Sequence, residues 1–148
     1  MIAPINDKYI NVEKPFLEVE RLVCDKIEKK YGLTLKKLKM NYHLDFAAID
    51  NQGELRCFGE IKCKYFKSTK FDEPFVSAWK YLGIKEMHET FNLPVFLYIQ
   101  FTDALYYWRF NDSDKIRLGW GGRTDRNKSE DIEPMCYIPL RYFERFEE

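Results

Sequence analysis

Hydrophobic and polar positions in the first part of the chain predict a helix followed by a strand. Apolar residues recur at helical spacing over residues 16–31, and this helix is expected to begin at Pro15, because a proline costs least in a first helical turn. Residues 1–14 have no such pattern and are expected to form an irregular arm. Residues 33–38 alternate weakly between apolar and polar, which predicts a short strand.

A β-hairpin is predicted next. Residues 42–49 are rich in strand-forming types, residues 50–53 have turn chemistry, and residues 54–65 alternate strictly. The second strand is expected to bury its small and apolar face, while its other face carries Phe58, Glu60, Lys62 and Lys64. A turn at residues 50–53 pairs position 45 with position 58 or 60.

The second half of the chain predicts a helix and two strands ahead of a polar segment. The helix is expected over residues 75–91, and the nearly continuous apolar run 94–101 predicts a strand buried on both faces. Residues 105–110 predict a further strand. Residues 111–133 are polar and contain glycines, which predicts a loop, and residues 135–146 return to apolar types that close the fold. The order predicts an α/β (α+β) domain with a central mixed sheet flanked by helices.

Composition narrows the class of protein. With 148 residues, of which 45% are hydrophobic, the chain is large enough for a core of its own and is not of the disordered type. It has no apolar run of about 20 residues, so no membrane association is expected, and no signal-peptide pattern is visible. The four cysteines lack the spacing of a zinc site. A cytoplasmic protein with reduced thiols is expected.

The net charge is zero, with 24 basic and 24 acidic residues, which removes the simplest case for a nucleic-acid partner. The charge is nevertheless uneven. Residues 56–70 and 115–128 each carry five basic residues against one acid, whereas residues 130–148 carry six acids and two arginines. The two basic segments predict a phosphate-binding surface, although solvated polar loops remain the alternative. The candidate DNA contacts in them are Lys64, Lys67, Lys70, Arg123 and Arg126.

Two acids and a lysine come together on the predicted hairpin. Asp45 and Glu60 are direct or diagonal neighbours, with Cβ atoms roughly 5–8 Å apart. Like charges so close are unfavourable unless a cation compensates, and Mg²⁺ prefers carboxylate ligands. Lys62 lies on the same strand face as Glu60. These residue types are the components of metal-assisted phosphodiester hydrolysis. A solvated sheet face remains the alternative, because E-x-K is a common tripeptide.

Asp45, separated by fourteen residues from Glu60-Ile61-Lys62, resembles the motif of the PD-(D/E)XK nuclease superfamily. This group includes restriction endonucleases, phage exonucleases and archaeal Holliday junction resolvases. The predicted order matches the αβββαβ core of its restriction-endonuclease-like fold. The resemblance implies that Asp45 and Glu60 bind Mg²⁺ or Mn²⁺, that the carbonyl of Ile61 completes the metal shell, and that Lys62 positions the attacking water. Leu44 replaces the proline of the motif, at a position that supplies no ligand.

Both helices are expected to contribute to the site. Glu20 resembles the carboxylate of a V-E-R run in the resolvase-like branch, which implies a further catalytic metal ligand, and it interrupts an apolar helix face. Glu18 is its rival, and an edge position in water is the alternative. On the second helix, Lys80 is preferred to Ser77 as a contact to a DNA phosphate. The alternative, an ordinary surface lysine at position 80, fits the sequence at least as well. A substrate or metal contact by His43 is less favoured than a packed or solvated histidine.

The sequence thus predicts a metal-dependent nuclease that hydrolyses DNA, with a structure-selective, resolvase-like endonuclease as the favoured type. Enzymes of this kind usually act as dimers, so a homodimer is an open expectation. We expect a single nuclease-like domain over residues 1–148, with its core at about 15–110 and a C-terminal extension packed on it. One alternative is a catalytically inactive nucleic-acid-binding or assembly protein of the same fold. Another is an unrelated interaction domain, which would place Asp45 and Glu60 far apart or on opposite faces.

Overall fold

The computed structural model describes residues 7–39, 44–122, 129 and 132–148, with side chains from Leu17 onward. The helices and strands in this part of the chain are α1 (Asp7–Tyr31), β1 (Thr34–Lys37), β2 (Phe46–Ile49), β3 (Leu55–Cys63), β4 (Phe75–Ser77), α2 (Ala78–Phe91), β5 (Val95–Gln100), β6 (Leu105–Arg109), β7 (Arg117–Gly122), β8 (Ile132–Tyr137), a 3₁₀ turn (Leu140–Tyr142) and β9 (Glu144–Arg145). The predicted αβββαβ order is confirmed, with the short β4 added before α2. No helix among these residues is long and apolar enough to cross a membrane.

A mixed six-stranded sheet in the order β1-β2-β3-β5-β6-β9 forms the centre of the fold. Strands β3 and β5 are parallel, and the other neighbours are antiparallel. A parallel pair needs a long crossover connection, which here contains β4 and α2. A second, antiparallel sheet has the order β4-β8-β7.

Both faces of the central sheet are buried. On one face α1 contributes Val23, Cys24 and Ile27 to a core with Phe46, Ile61 and Tyr98. On the other face α2 contributes Ile84 and Met87 to a core that includes Phe58, Leu97, Ile99 and Trp108. Strand β3 packs its small and apolar face against α1 at Ile61, as expected. The α2 side of β3 is buried as well, because α2 covers it, and Glu60 lies on that side.

The predicted hairpin is confirmed as the pair β2–β3. Phe46 pairs with Gly59 and Ala47 with Phe58, and the register shifts at a bulge between Ala48 and Ile49. Gly53 in the turn has φ of 81°, a conformation that glycine adopts without strain. Continued by one residue, this register places position 45 opposite position 60.

Two predicted helix boundaries are wrong. The first helix begins at Asp7 rather than at Pro15, so Pro15 lies inside it. Residues 7–14 are largely polar, and a helix without an apolar stripe leaves no periodic signal. The second helix begins at Ala78, because Ser77 ends strand β4 and its hydroxyl accepts a hydrogen bond from the Lys80 N–H at 3.2 Å. That contact is an N-cap, which fixes the start of α2.

The predicted loop over residues 111–133 is also wrong, because it contains β7 and the beginning of β8. Glycines and polar residues are typical of loops, and three glycines lie in β7. Two of them, Gly119 and Gly121, serve packing, since a Cβ added to Gly121 would lie 2.4 Å from Tyr137 Oη. The sequence pattern alone does not reveal that the aromatic ring of Tyr137 crosses this strand.

Candidate active site

Glu60 occupies the centre of the site. It lies on β3 beside Leu97 of β5, and only 1% of it is exposed. Its Oε1 atom is 3.0 Å from the Lys80 ammonium and 3.3 Å from that of Lys62. Its Oε2 atom is buried and has no hydrogen-bond partner among the described residues. A buried carboxylate oxygen without a partner is unfavourable, which suggests that a ligand outside the chain completes its coordination.

The surroundings of Glu60 disfavour its charged form. Burial raises the pKa of this carboxyl above its ordinary value, and the negative charge of Asp45 raises it further. The positive charges of Lys62 and Lys80 lower the pKa without cancelling these two effects. A cation placed beside both carboxylates would reverse the balance.

Asp45 lies directly before β2 and is tied to the same part of β3. Its Oδ2 atom accepts a hydrogen bond from the Ile61 N–H at 3.2 Å, and its Oδ1 atom is 3.5 Å from the Lys37 ammonium. Its charge is close enough to influence Glu60. The structure therefore brings the two acids of the motif together, as the hairpin register predicts. An unrelated fold would have separated them.

Glu20 approaches from α1 and pairs with Lys37, whose ammonium lies 2.8 Å from Glu20 Oε1. Burial opposes the charged form of Lys37, but the hydrogen bond to Glu20 and the charge of Asp45 outweigh it, and the pKa of Lys37 is raised. Lys37 thus links Glu20 to Asp45. The side chain of Glu20 is 20% exposed and faces β1, whereas Glu18 is exposed.

Among the described residues, no group of three or more histidine, cysteine, aspartate or glutamate side chains is placed to hold a metal ion. The structure brings Asp45 and Glu60 together but joins Glu20 to them only through Lys37. The role of Glu20 as a metal ligand stays a prediction. Lys37 was missed at the sequence level, because nothing in the sequence shows that β1 pairs with β2 beside Asp45.

The candidate DNA contacts lie around the end of β3. The ammonium of Lys64 is 4.3 Å from the centre of the Phe75 ring, and burial together with the charge of Lys62 lowers the pKa of Lys64 to about 8. Lys67 and Lys70 are exposed in the following loop. Lys80 points into the site at Glu60 rather than away from it. Three other candidates, His43, Arg123 and Arg126, lie outside the described residues.

A buried serine anchors the lysine-rich loop, a feature that the sequence analysis missed. Asp103 accepts hydrogen bonds from the Ser68 N–H at 2.8 Å and from its hydroxyl at 2.7 Å. The bonds from the Ser68 backbone and side chain lower the pKa of Asp103. Ser68 lies between Lys67 and Lys70. This contact therefore fixes the backbone from which both lysine side chains extend.

The residues of the site fit a divalent cation. Carboxylate and carbonyl oxygens are the ligands that Mg²⁺ and Mn²⁺ prefer. Asp45 and Glu60 supply carboxylates, one of which has the unpartnered Oε2 atom, and Ile61 supplies a backbone carbonyl next to them in the chain.

The model of a family described as "Phage putative PDDEXK endonuclease" matches residues 14–146. The chain belongs to this family. Membership confirms the predicted PD-(D/E)XK superfamily, and the mixed sheet flanked by two helices agrees with the predicted fold class. Membership also supports an endonuclease function, for which DNA is the implied substrate. The matched segment includes Asp45, Glu60 and Lys62.

A solved structure that resembles the chain is that of Hjc from Archaeoglobus fulgidus, a Holliday junction resolvase. The two are 13% identical, the similarity covers 76% of this chain and 81% of Hjc, and the TM-score is 0.45. No curated protein matches the chain.

Proposed function

We propose that the chain is a divalent-metal-dependent DNA endonuclease whose active site consists of Asp45, Glu60, Lys62 and Lys80. The observation that carries this proposal is the Glu60 carboxylate, which is almost fully buried, has one unpartnered oxygen, and lies beside a second acid and two ammonium groups. Family membership supports the reaction class. The buried carboxylate supports the requirement for a metal.

Asp45, Glu60 and the Ile61 carbonyl would hold Mg²⁺ or Mn²⁺, and Glu20 is the candidate for an additional ligand. When bound there, the cation supplies Lewis-acid stabilisation of the negative charge that develops on the phosphodiester. The chain keeps Asp45 in place through the Ile61 N–H, and it holds Glu60 Oε1 between two lysines so that Oε2 remains available.

Lys62 is the candidate to position the attacking water. Its side chain is 35% exposed, so its ammonium lies between the buried carboxylate and solvent, where a water and a phosphate can arrive. From there it would orient the attacking water through a hydrogen bond. As the water oxygen bonds to phosphorus, the bond from phosphorus to the leaving sugar oxygen breaks, the water gives one proton to solvent and the leaving oxygen takes one from solvent. Lys80, anchored on the first turn of α2, fixes the orientation of Glu60 and contributes positive charge near the transferring phosphoryl group.

Several finer properties belong to this proposal. Lys64, Lys67, Lys70, Arg123 and Arg126 are proposed to contact the DNA backbone, and residues 1–148 are proposed to form one nuclease domain with its core at about 15–110. We also propose that the protein is a homodimer and that it prefers branched DNA such as four-way junctions. The four free cysteines fit a reducing compartment, so action in the cytoplasm is proposed.

A cleavage assay with labelled DNA tests the proposal. Linear duplex, single-stranded, flapped and four-way DNA are incubated with the protein in Mg²⁺, in Mn²⁺ and in EDTA. We expect cleavage of at least one substrate with either metal and none in EDTA. Lys62→Ala should lower the rate by about 100-fold or more, whereas Lys29→Ala, at an exposed position near the end of α1, should leave it unchanged.

The same assay separates the proposal from the alternative of an inactive nucleic-acid-binding protein. Binding of DNA without cleavage in either metal would favour that alternative. Metal-dependent cleavage by the Lys62→Ala variant at the wild-type rate would show that the site lies elsewhere.

A further inference from the structure

Strands β7 and β8 carry an exposed apolar face that the proposed active site does not use. Trp120 is 75% exposed and Leu118 is 71% exposed, and both belong to β7. Trp120 pairs with Pro134 of β8, and Ile132, which is 40% exposed, pairs with Gly122. We call these four residues, Leu118, Trp120, Ile132 and Pro134, the β7–β8 face. Neighbouring exposed apolar residues of this kind mark interaction sites more often than single exposed residues do.

Packing on the opposite side of β7 holds Trp120 in its exposed position. Gly119 and Gly121 leave room for the Tyr137 ring, because added Cβ atoms would lie 3.2 Å from Tyr137 Cε2 and 2.4 Å from Tyr137 Oη respectively. The Tyr137 hydroxyl donates to the Trp120 carbonyl at 3.4 Å. The Arg117 guanidinium lies 4.1 Å from the centre of the same ring. Tyr137 and Arg117 cover that side of β7 and hold the strand in place. The indole of Trp120 is therefore exposed on the other side.

The β7–β8 face lies near the proposed active site. Met135 of β8 pairs with Ser77 on one side and with Gly119 on the other, so these residues form one row across three strands. Neighbouring strands are about 4.8 Å apart, which places Gly119 about 10 Å from Ser77. Ser77 caps α2 three residues before Lys80, and Lys80 contacts Glu60. A DNA strand at Glu60 can therefore reach Trp120 within a few nucleotides.

The position of this face near the proposed active site and its lysines favours a nucleic acid over a second copy of the chain. Lys115 lies two residues before β7, Arg117 is the first residue of β7 with its guanidinium against Tyr137, and Glu133 lies on β8 between Ile132 and Pro134. Residues 61–71 on the active-site side contain four lysines and no acid. Glu73 is the acid that pairs with Arg117, at 3.4 Å. Aromatic side chains close to lysines are typical of surfaces that stack on exposed bases.

We infer that Trp120, supported by Leu118, stacks on an unpaired base of the DNA substrate a few nucleotides from the cleaved bond. This inference rests on the proposed nuclease function, and it extends that function by naming the substrate class as DNA with single-stranded or splayed nucleotides. Trp120 would contact the flat face of a base. Because every base has such a face, the contact does not depend on the DNA sequence.

Binding measured without metal tests the inference separately from cleavage. In EDTA, the affinity for fluorescein-labelled single-stranded DNA and for a blunt duplex is measured by anisotropy. Trp120→Ala should weaken binding to single-stranded DNA by roughly 5- to 100-fold and binding to the duplex by less than about twofold. Trp120→Phe, which retains an aromatic ring, should restore most of the affinity. Trp79→Ala, which removes an indole that is 73% exposed on α2, is the matched comparison.

An oligonucleotide of abasic sites identifies the base as the contacted group. On this probe Trp120→Ala should lose no more than about twofold relative to wild type. An equal loss on normal and abasic DNA, an equal loss for Trp79→Ala, or no loss at all would overturn the inference. So would a wild-type dimer that Trp120→Ala dissociates in sedimentation, since the face would then be an interface between copies. Failure of the cleavage assay with Trp120-dependent binding intact would instead reject the nuclease proposal alone.

Discussion

At the scale of single residues, Glu60 shows a conflict between stability and function. Burial and the nearby Asp45 charge raise its pKa, so the ionised form that a metal requires is the form that the fold disfavours. Lys62 and Lys80 reduce this cost but do not remove it. Such conflicts are typical of active sites, where residues are retained for their chemistry rather than for stability.

Glu60→Gln should therefore raise the thermal stability of the metal-free protein at neutral pH. The wild-type carboxyl binds its proton more tightly in the folded state than in the unfolded state. Its favourable effect on folding is complete below the unfolded pKa of about 4.5 and is lost as pH rises through the elevated folded pKa. In EDTA at pH 7, the melting temperature of Glu60→Gln should be higher than that of wild type. This difference should disappear near pH 4.

The matched variant for this comparison is Glu54→Gln, which neutralises an exposed acid directly before the same hairpin strand. Its melting temperature should stay within about 1 °C of wild type across that pH range, as is usual for exposed substitutions. A Glu60→Gln protein that melts below wild type at pH 7 would mean that the lysine contacts outweigh the burial of the charge.

The sequence predicts the residues of the motif better than the residues that support them. Asp45, Glu60 and Lys62 come together because hairpin register is a local property, set by the turn and by alternation. Lys37 and Ser68 could not be found in this way. Lys37 depends on the pairing of β1 with β2, and Ser68 depends on Asp103, which is 35 residues away.

At the scale of secondary-structure elements, the strands with strong alternation or a continuous apolar run are confirmed, and the segments without an apolar period are those predicted wrongly. The first turns of α1 are polar, and β7 is rich in glycine, so neither gives the usual signal. In β7 Gly119 and Gly121 are required by Tyr137, a residue of β8. A constraint imposed by another strand cannot be read from the strand itself.

Gly121→Ala should destabilise the β7–β8 pair. The added Cβ would lie 2.4 Å from Tyr137 Oη and 3.1 Å from Met135 Cγ, and such overpacking costs about 1–3 kcal/mol. Chemical denaturation of the variant measures this cost. Adding Tyr137→Phe removes the atom of closest approach, so the double variant should recover part of the lost stability relative to Tyr137→Phe alone. If Gly121→Ala lowered the free energy of unfolding equally in the wild-type and Tyr137→Phe backgrounds, this packing would be contradicted.

At the scale of the whole molecule, zero net charge is compatible with a DNA substrate because the charges are segregated along the chain. The lysines that follow Glu60 have no acids among them, while the acids of residues 130–148 belong to a different segment. Of the 24 acids, Asp45 and Glu60 are proposed metal ligands, and their charge would be largely offset by a bound divalent cation. Association with DNA should therefore depend on local charge and on salt rather than on the net charge.

The central claim is that Glu60 serves a metal-dependent cleavage reaction, and the most direct test is the single-turnover cleavage rate of wild type and Glu60→Gln in saturating Mg²⁺ on the best substrate. Glutamine keeps the size of the side chain but removes the charge, so the folded protein should remain. We predict a rate at least about 100-fold below wild type. A Glu60→Gln rate within about threefold of wild type, from a protein with a normal melting curve, would contradict the account.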